Sequence, residues 1–189
     1  MELVEAGDFL RWAAEGGIVP DPRGLDGQAP LTFGGASLFV RRWIAPEAPF
    51  NLPGFASCLF GSAAQRSSVY LFLKGGAPWF TGSDPATGPE WEHLRDRIVS
   101  TLPIPRDFRG AVKMVFSESD DVVLLMVTFL VYAWCVADDP QVVPEQRDVI
   151  MQTSHHGEAI VCSANSGRLE AFVSSMVESG FPPQPEKNA

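Results

Sequence analysis

The side chains best suited to chemistry in this chain crowd into one short stretch. His155, His156 and Glu158 place two imidazoles and a carboxylate around Gly157. An imidazole beside a carboxylate suits general acid–base work, and both groups also ligate zinc. The spacing argues against either use. Successive side chains on a strand point to opposite faces, so adjacent histidines do not converge on one ion. A third ligand would have to come from His93 or Cys162, and there is no Cys-x-x-Cys and no His-Glu-x-x-His. Ser154 precedes His155 without a Gly-x-Ser-x-Gly elbow. Gly34-Gly35 and Gly75-Gly76 lack the spacing and lysine of a phosphate loop. The expectation is a polar turn with no catalytic residue, no metal and no cofactor. The alternative is a small enzyme or metal-dependent protein centred on His155 and Glu158.

The elements that would position these residues are readable. Asp148–Ser163 alternates as a strand, a turn and a second strand. If His156-Gly157 is a two-residue loop, His155 faces Glu158, Thr153 faces Ile160 and Met151 faces Cys162. Val149, Met151, Ile160 and Cys162 then form one apolar patch, with Gly157 supplying the positive φ of the turn. Gln141-Val142-Val143 is a third strand. Upstream, Val122 to Ala137 is an apolar run without a charge. It is too long for an ordinary strand, it follows capping residues at Ser117–Asp120, and it ends before Asp139-Pro140. It predicts a central helix that is apolar all round and therefore covered on nearly every side. It is too short and too acidic at its flanks for a membrane span.

Around this centre, Glu2–Glu15 predicts a short amphipathic helix stopped by Gly16-Gly17. Residues 18–66 are rich in proline and glycine and predict an irregular segment, relieved by a strand at Ser37–Trp43 and a short one at Phe55–Phe60. Ser67–Leu73 is a further strand, with a turn at Lys74–Gly76 and Trp79-Phe80 as its return. Pro89 starts a helix that runs to Leu102, and Ala111–Phe116 is a strand. Asn165-Ser166 caps a last helix with the stripe Leu169, Phe172, Val173, Met176 and Val177, stopped by Gly180. Residues 184–189 form a loose tail. The fold class expected is α+β: one domain over 1–189, a mainly antiparallel sheet packed with helices around the buried central helix. Leu125, Phe129, Trp134, Met151, Ile160, Phe172 and Met176 are expected to be buried together.

The chain has 189 residues and a net charge of −9. That charge is uneven, with net −2 over 1–109 and net −7 over 110–189. No basic face is visible, which argues against nucleic acid. An acidic protein suits a basic partner, or is simply kept soluble. Three scattered cysteines do not make a disulfide framework, and Met1–Glu5 lacks a signal-peptide pattern. A cytoplasmic location follows, with neither membrane nor nucleic acid as partner. Asp138 and Asp139 fall at the C-terminal end of the central helix, where the macrodipole disfavours negative charge. Acids kept there suggest a partner surface, and the surface expected comprises Glu118, Asp120, Asp138, Asp139, Glu145, Asp148, His155, His156 and Glu158.

The C-terminal half, with Asp138-Asp139, Val142-Val143-Pro144, the hairpin Asp148–Ser163 and the capped helix Ser166–Gly180, resembles the immunity proteins of bacterial toxin systems in architecture and charge. That resemblance implies a non-enzymatic protein that binds and neutralises a cognate toxin, here a basic toxin domain. A subunit of a larger assembly, with the acidic face as its contact, is a further reading.

Overall fold

The computed structural model describes residues 1–23, 30–35, 37–47, 51–64, 67–73, 79–80, 89–115, 118–134 and 139–185, with backbone alone at 64, 89–91, 118–119, 129 and 132–134. In chain order the elements are β1 (Glu2–Glu5), α1 (Ala6–Glu15), β2 (Ile18–Pro20), β3 (Leu31–Phe33), β4 (Phe39–Ile44), α2 (Leu52–Ala64) and β5 (Val69–Phe72). They continue with α3 (Pro89–Thr101), β6 (Gly110–Met114), α4 (Glu118–Trp134), β7 (Gln141–Pro144), β8 (Ile150–Ser154), β9 (Glu158–Ser163) and α5 (Ser166–Glu178). The fold is α+β. A seven-stranded sheet runs in the order β1-β6-β5-β7-β8-β9-β4, and every pairing in it is antiparallel.

Both faces of this sheet are covered over part of its width, and the alternation of side chains assigns each residue to a face. On one face Leu71, Val112, Val142, Met151, Ala159 and Val161 meet α2, α4 and α5 in the main core. On the other, Tyr70, Phe72, Ala111, Val143 and Ile150 meet Phe9 and Ala13 of α1 and the β2–β3 hairpin. Phe9 stacks on Phe72 with ring centroids 4.6 Å apart. Among the described residues, no helix is long and apolar enough to cross a membrane.

The expected central helix is α4, and its buried residues Val123, Leu124, Val127, Leu130 and Val131 join the main core. It is not covered all round. Val122 is 52% exposed, and Leu125 and Met126 are only half-buried. Of the expected core set, Met151, Phe172 and Met176 are buried together. Leu125 packs at the rim, Ile160 is half-buried, and the side chains of Phe129 and Trp134 lie outside the described residues.

Several other expectations are corrected. The N-terminal helix starts only at Ala6, because Glu2–Glu5 pairs with β6 as an edge strand. Within the segment expected to be irregular, Ile18–Pro20 and Leu31–Phe33 pair as antiparallel strands. Phe55–Phe60 is helical: Leu52, Phe55, Ala56, Leu59, Phe60 and Ala63 form the buried stripe of α2, with Pro53 in the first turn, where its missing N–H costs nothing. Trp79-Phe80 is a turn, and the Trp79 indole donates to the Gly110 carbonyl at 3.3 Å. The C-terminal segment is tied down at its start, since the Trp43 indole donates to the Phe181 carbonyl at 3.0 Å and the Gln184 amide donates to the Arg42 carbonyl at 2.7 Å. The turn expected at Lys74–Gly76 lies outside the described residues, as do Cys135 and residues 186–189.

Candidate functional site

The register of β8 and β9 decides the site. Ser154 pairs with Glu158, Thr153 with Ala159 and Met151 with Val161. The loop is therefore His155-His156-Gly157, three residues rather than two. The Gly157 amide donates to the Ser154 carbonyl at 2.9 Å, and Gly157 has φ +79°. This is the three-residue hairpin with glycine in the left-handed position. One residue more in the loop moves every partner on β9 to the other face. The patch expected from Val149, Met151, Ile160 and Cys162 is replaced by Val149, Met151, Ala159 and Val161 in the main core, while Cys162 faces the α1 side.

The slip also changes what His155 touches. It does not face Glu158, which instead accepts from Arg42 Nη1 at 3.2 Å across the β4–β9 pair. His155 meets Asp139. Asp139 Oδ1 accepts the His155 backbone N–H at 2.8 Å and lies 2.8 Å from His155 Nδ1. A carboxylate accepts, so Nδ1 donates in this contact and the outer nitrogen, Nε2, is left to face other groups. The His156 ring lies over that of His155, with centroids 4.1 Å apart, and its backbone N–H donates to Ser154 Oγ at 3.3 Å. Asp139 was expected on an exposed helix end. It is 7% exposed and has φ +44°, the left-handed region that aspartate tolerates better than most residues. A non-glycine residue held there costs energy that its neighbours must offset. The two hydrogen bonds to His155 are what the backbone at Asp139 supports.

The remaining expected binding residues do not form one patch. Antiparallel pairing carries Asp139, His155, His156 and Glu158 to one end of the sheet, where β7 begins, β8 ends and β9 begins. Asp120, Glu145 and Asp148 fall at the opposite end, where β6 and β7 finish and β8 starts. Asp120 is buried; its Oδ2 accepts the Val115 N–H at 3.0 Å and lies 3.6 Å from the Met1 ammonium. Glu145 is exposed, 3.8 Å from Lys113 Nζ. Asp148 Oδ2 accepts from Arg168 Nε at 2.5 Å, and the same guanidinium donates to the Ser62 and Ala63 carbonyls at the end of α2. That arrangement ties α2, α5 and the β7–β8 loop together. Asp138 and the side chain of Glu118 lie outside the described residues.

Sequence reasoning missed Asp139 as the partner of His155, and missed Arg42 and Arg168. A signal for the first existed. Once β7 is set against β8 with Gln141 opposite Gln152, continuing the antiparallel count places residue 139 opposite residue 154, next to His155. Among the described residues, no three His, Cys, Asp or Glu side chains gather to hold a metal ion. No protein-family model matches the chain, and no curated protein or solved structure matches it.

Proposed function

We propose that this chain is a non-enzymatic, acidic binding protein, an immunity-type inhibitor that docks on and blocks a basic toxin domain in the bacterial cytoplasm. The contact surface in this reading is the end of the sheet carrying Asp139, His155, His156 and Glu158. The observation that supports it is the Asp139 clamp. It fixes the backbone and one ring of an exposed turn before any partner arrives, and preorganisation lowers the cost of binding. Ile44, 60% exposed and paired with Glu158 on the neighbouring strand, adds an apolar anchor at the same end of the sheet. The net charge of −9 favours encounter with a basic partner.

The test begins with the partner retained by the tagged protein from its source organism. Association is then measured at low and high salt for the parent, for Ile44→Ala and His156→Ala, and for Glu145→Lys at the opposite end. The expected result is faster dissociation for the first two and little change for the third. A partner that is not basic, or dissociation unchanged by either turn-end variant, rejects the reading. The Asp139–His155 contact also favours a second reading, in which an oriented imidazole serves as a general base. A hydrolytic activity abolished by His155→Gln, with no partner retained, would select it.

A further inference from the structure

A groove of about 250 Å³ opens along the seam between α2 and α4. Ala56, Phe60, Leu124 and Leu125 supply apolar walls, and Ser57 and Asp121 are its polar groups. Val122, 52% exposed, also lines it. At about 30 Å³ for the share of one water molecule in the liquid, the space suits a small organic body and not a folded element. The apolar walls alone would accept any hydrocarbon, so the charge at the rim decides the class of ligand.

Asp121 sits in the first turn of α4. A carboxylate there is ordinary as a complement to the helix dipole, which accounts for the residue type but not for the groove beside it. Asp120 next to it already has its carboxylate on the Val115 N–H and the Met1 ammonium. Among the described residues no cation or hydrogen-bond donor meets Asp121. Asp121 is exposed at the rim of the groove; partial desolvation there, and then the negative charge of Asp120, hold its carboxyl above its ordinary range. Such a group gains from a cation and repels an anion.

We propose that the α2–α4 groove binds a small organic cation of the primary ammonium class, with its apolar body on Phe60, Leu124 and Leu125 and its charge on Asp121. This site is independent of the His155 turn and of the toxin-inhibitor reading. A neutral ligand would gain nothing from the carboxylate, and an anionic one would face two acids.

The test uses three probes of one shape: 2-phenylethylammonium, 2-phenylethanol and 3-phenylpropanoate. Each is titrated into the full-length protein while the methyl signals of Leu124 and Leu125 are followed by NMR. Saturable shifts at these methyls are expected, with the ammonium roughly tenfold tighter than the alcohol and the carboxylate weakest. Asp121→Asn should bring the ammonium down to the affinity of the alcohol. Ser57 is exposed on α2, so Ser57→Trp should fill the groove without disturbing the fold, as circular dichroism would verify, and should abolish both. An ammonium that binds no tighter than the alcohol, an affinity that survives Asp121→Asn, or shifts that avoid both leucines would each overturn the proposal.

Discussion

Asp139 shows how one side chain sets the geometry of a whole turn. Its carboxylate serves two donors of His155 while its backbone occupies the left-handed region. Asp139→Ala removes the acceptor and retains a conformation that alanine resists. It should lower stability by about 1.5–3 kcal/mol, the range for hydrogen bonds to a charged group. Asp139→Asn keeps an acceptor oxygen and a residue that tolerates positive φ, so it should cost less. Urea midpoints for the two variants check the ordering; equal midpoints would mean that Asp139 does not clamp the turn. A second residue, Cys162, can be read in the same way. Burial pushes its thiol up to about 11, against a weaker lowering by its hydrogen bond with the Ile150 backbone. The thiolate is the reactive form, so Cys162 should resist iodoacetamide at pH 8 in the native protein and react once urea unfolds it. Peptide mass spectrometry reads this directly, and rapid native labelling would contradict the packing of the Cys162 thiol on the α1 side of the sheet.

At the level of elements, α2 shows what the sequence concealed. Its buried positions Leu52, Phe55, Ala56, Leu59 and Ala63 recur at helical spacing, yet the prolines and glycines up to Gly54 suggested irregular chain and Phe55–Phe60 a short strand. Proline is harmless in the first turn, and glycine costs about 1 kcal/mol in a helix interior, an amount that packing against α4 and α5 readily offsets. Leu59 is fully buried in the main core. Leu59→Ala should therefore cost about 2–5 kcal/mol, whereas a residue in an exposed irregular segment would cost almost nothing; thermal or urea unfolding decides. Longer signals were easier to read. The apolar run gave α4, the stripe Leu169, Phe172, Met176 gave α5 with its cap, Asn165 Oδ1 accepting from the Arg168 N–H, and alternation gave β5 through β9. β1 was hidden because four residues at a sheet edge have no period of their own and depend on the distant β6. The candidate site was legible as a set of residues but not as contacts. His155-His156-Gly157 fits a two-residue or a three-residue turn, and a single residue of register separates Glu158 from Asp139 as the partner of His155.

The whole molecule has one edge where sheet and helices are closed by the C-terminal segment. β4 is the last strand of the sheet, and Phe39, Val40 and Ile44 on it are exposed. Such an edge invites pairing with another chain unless something blocks it. Two features do so here. Arg42 places a charge on the strand, and its carbonyl, turned away from β9, is occupied by the Gln184 amide at 2.7 Å. The same segment satisfies the buried Trp43 indole through the Phe181 carbonyl and sets the Phe181 ring edge-on against Phe55, centroids 5.3 Å apart. Removing residues 181–189 would thus have two separate consequences. Trp43, 1% exposed, would lose the acceptor for its N–H, a loss of about 1–3 kcal/mol for a polar group left buried and unpaired. The β4 backbone would also be opened along its outer side. Truncation should lower the melting temperature and make the protein associate at concentrations where the full chain does not, as sedimentation velocity would register. Arg42→Leu in the full chain removes the charge but leaves the carbonyl covered, and should produce much less association than the truncation. If both variants associate equally, side-chain charge guards this edge and the C-terminal segment does not; if neither does, β4 is protected by its own twist and length.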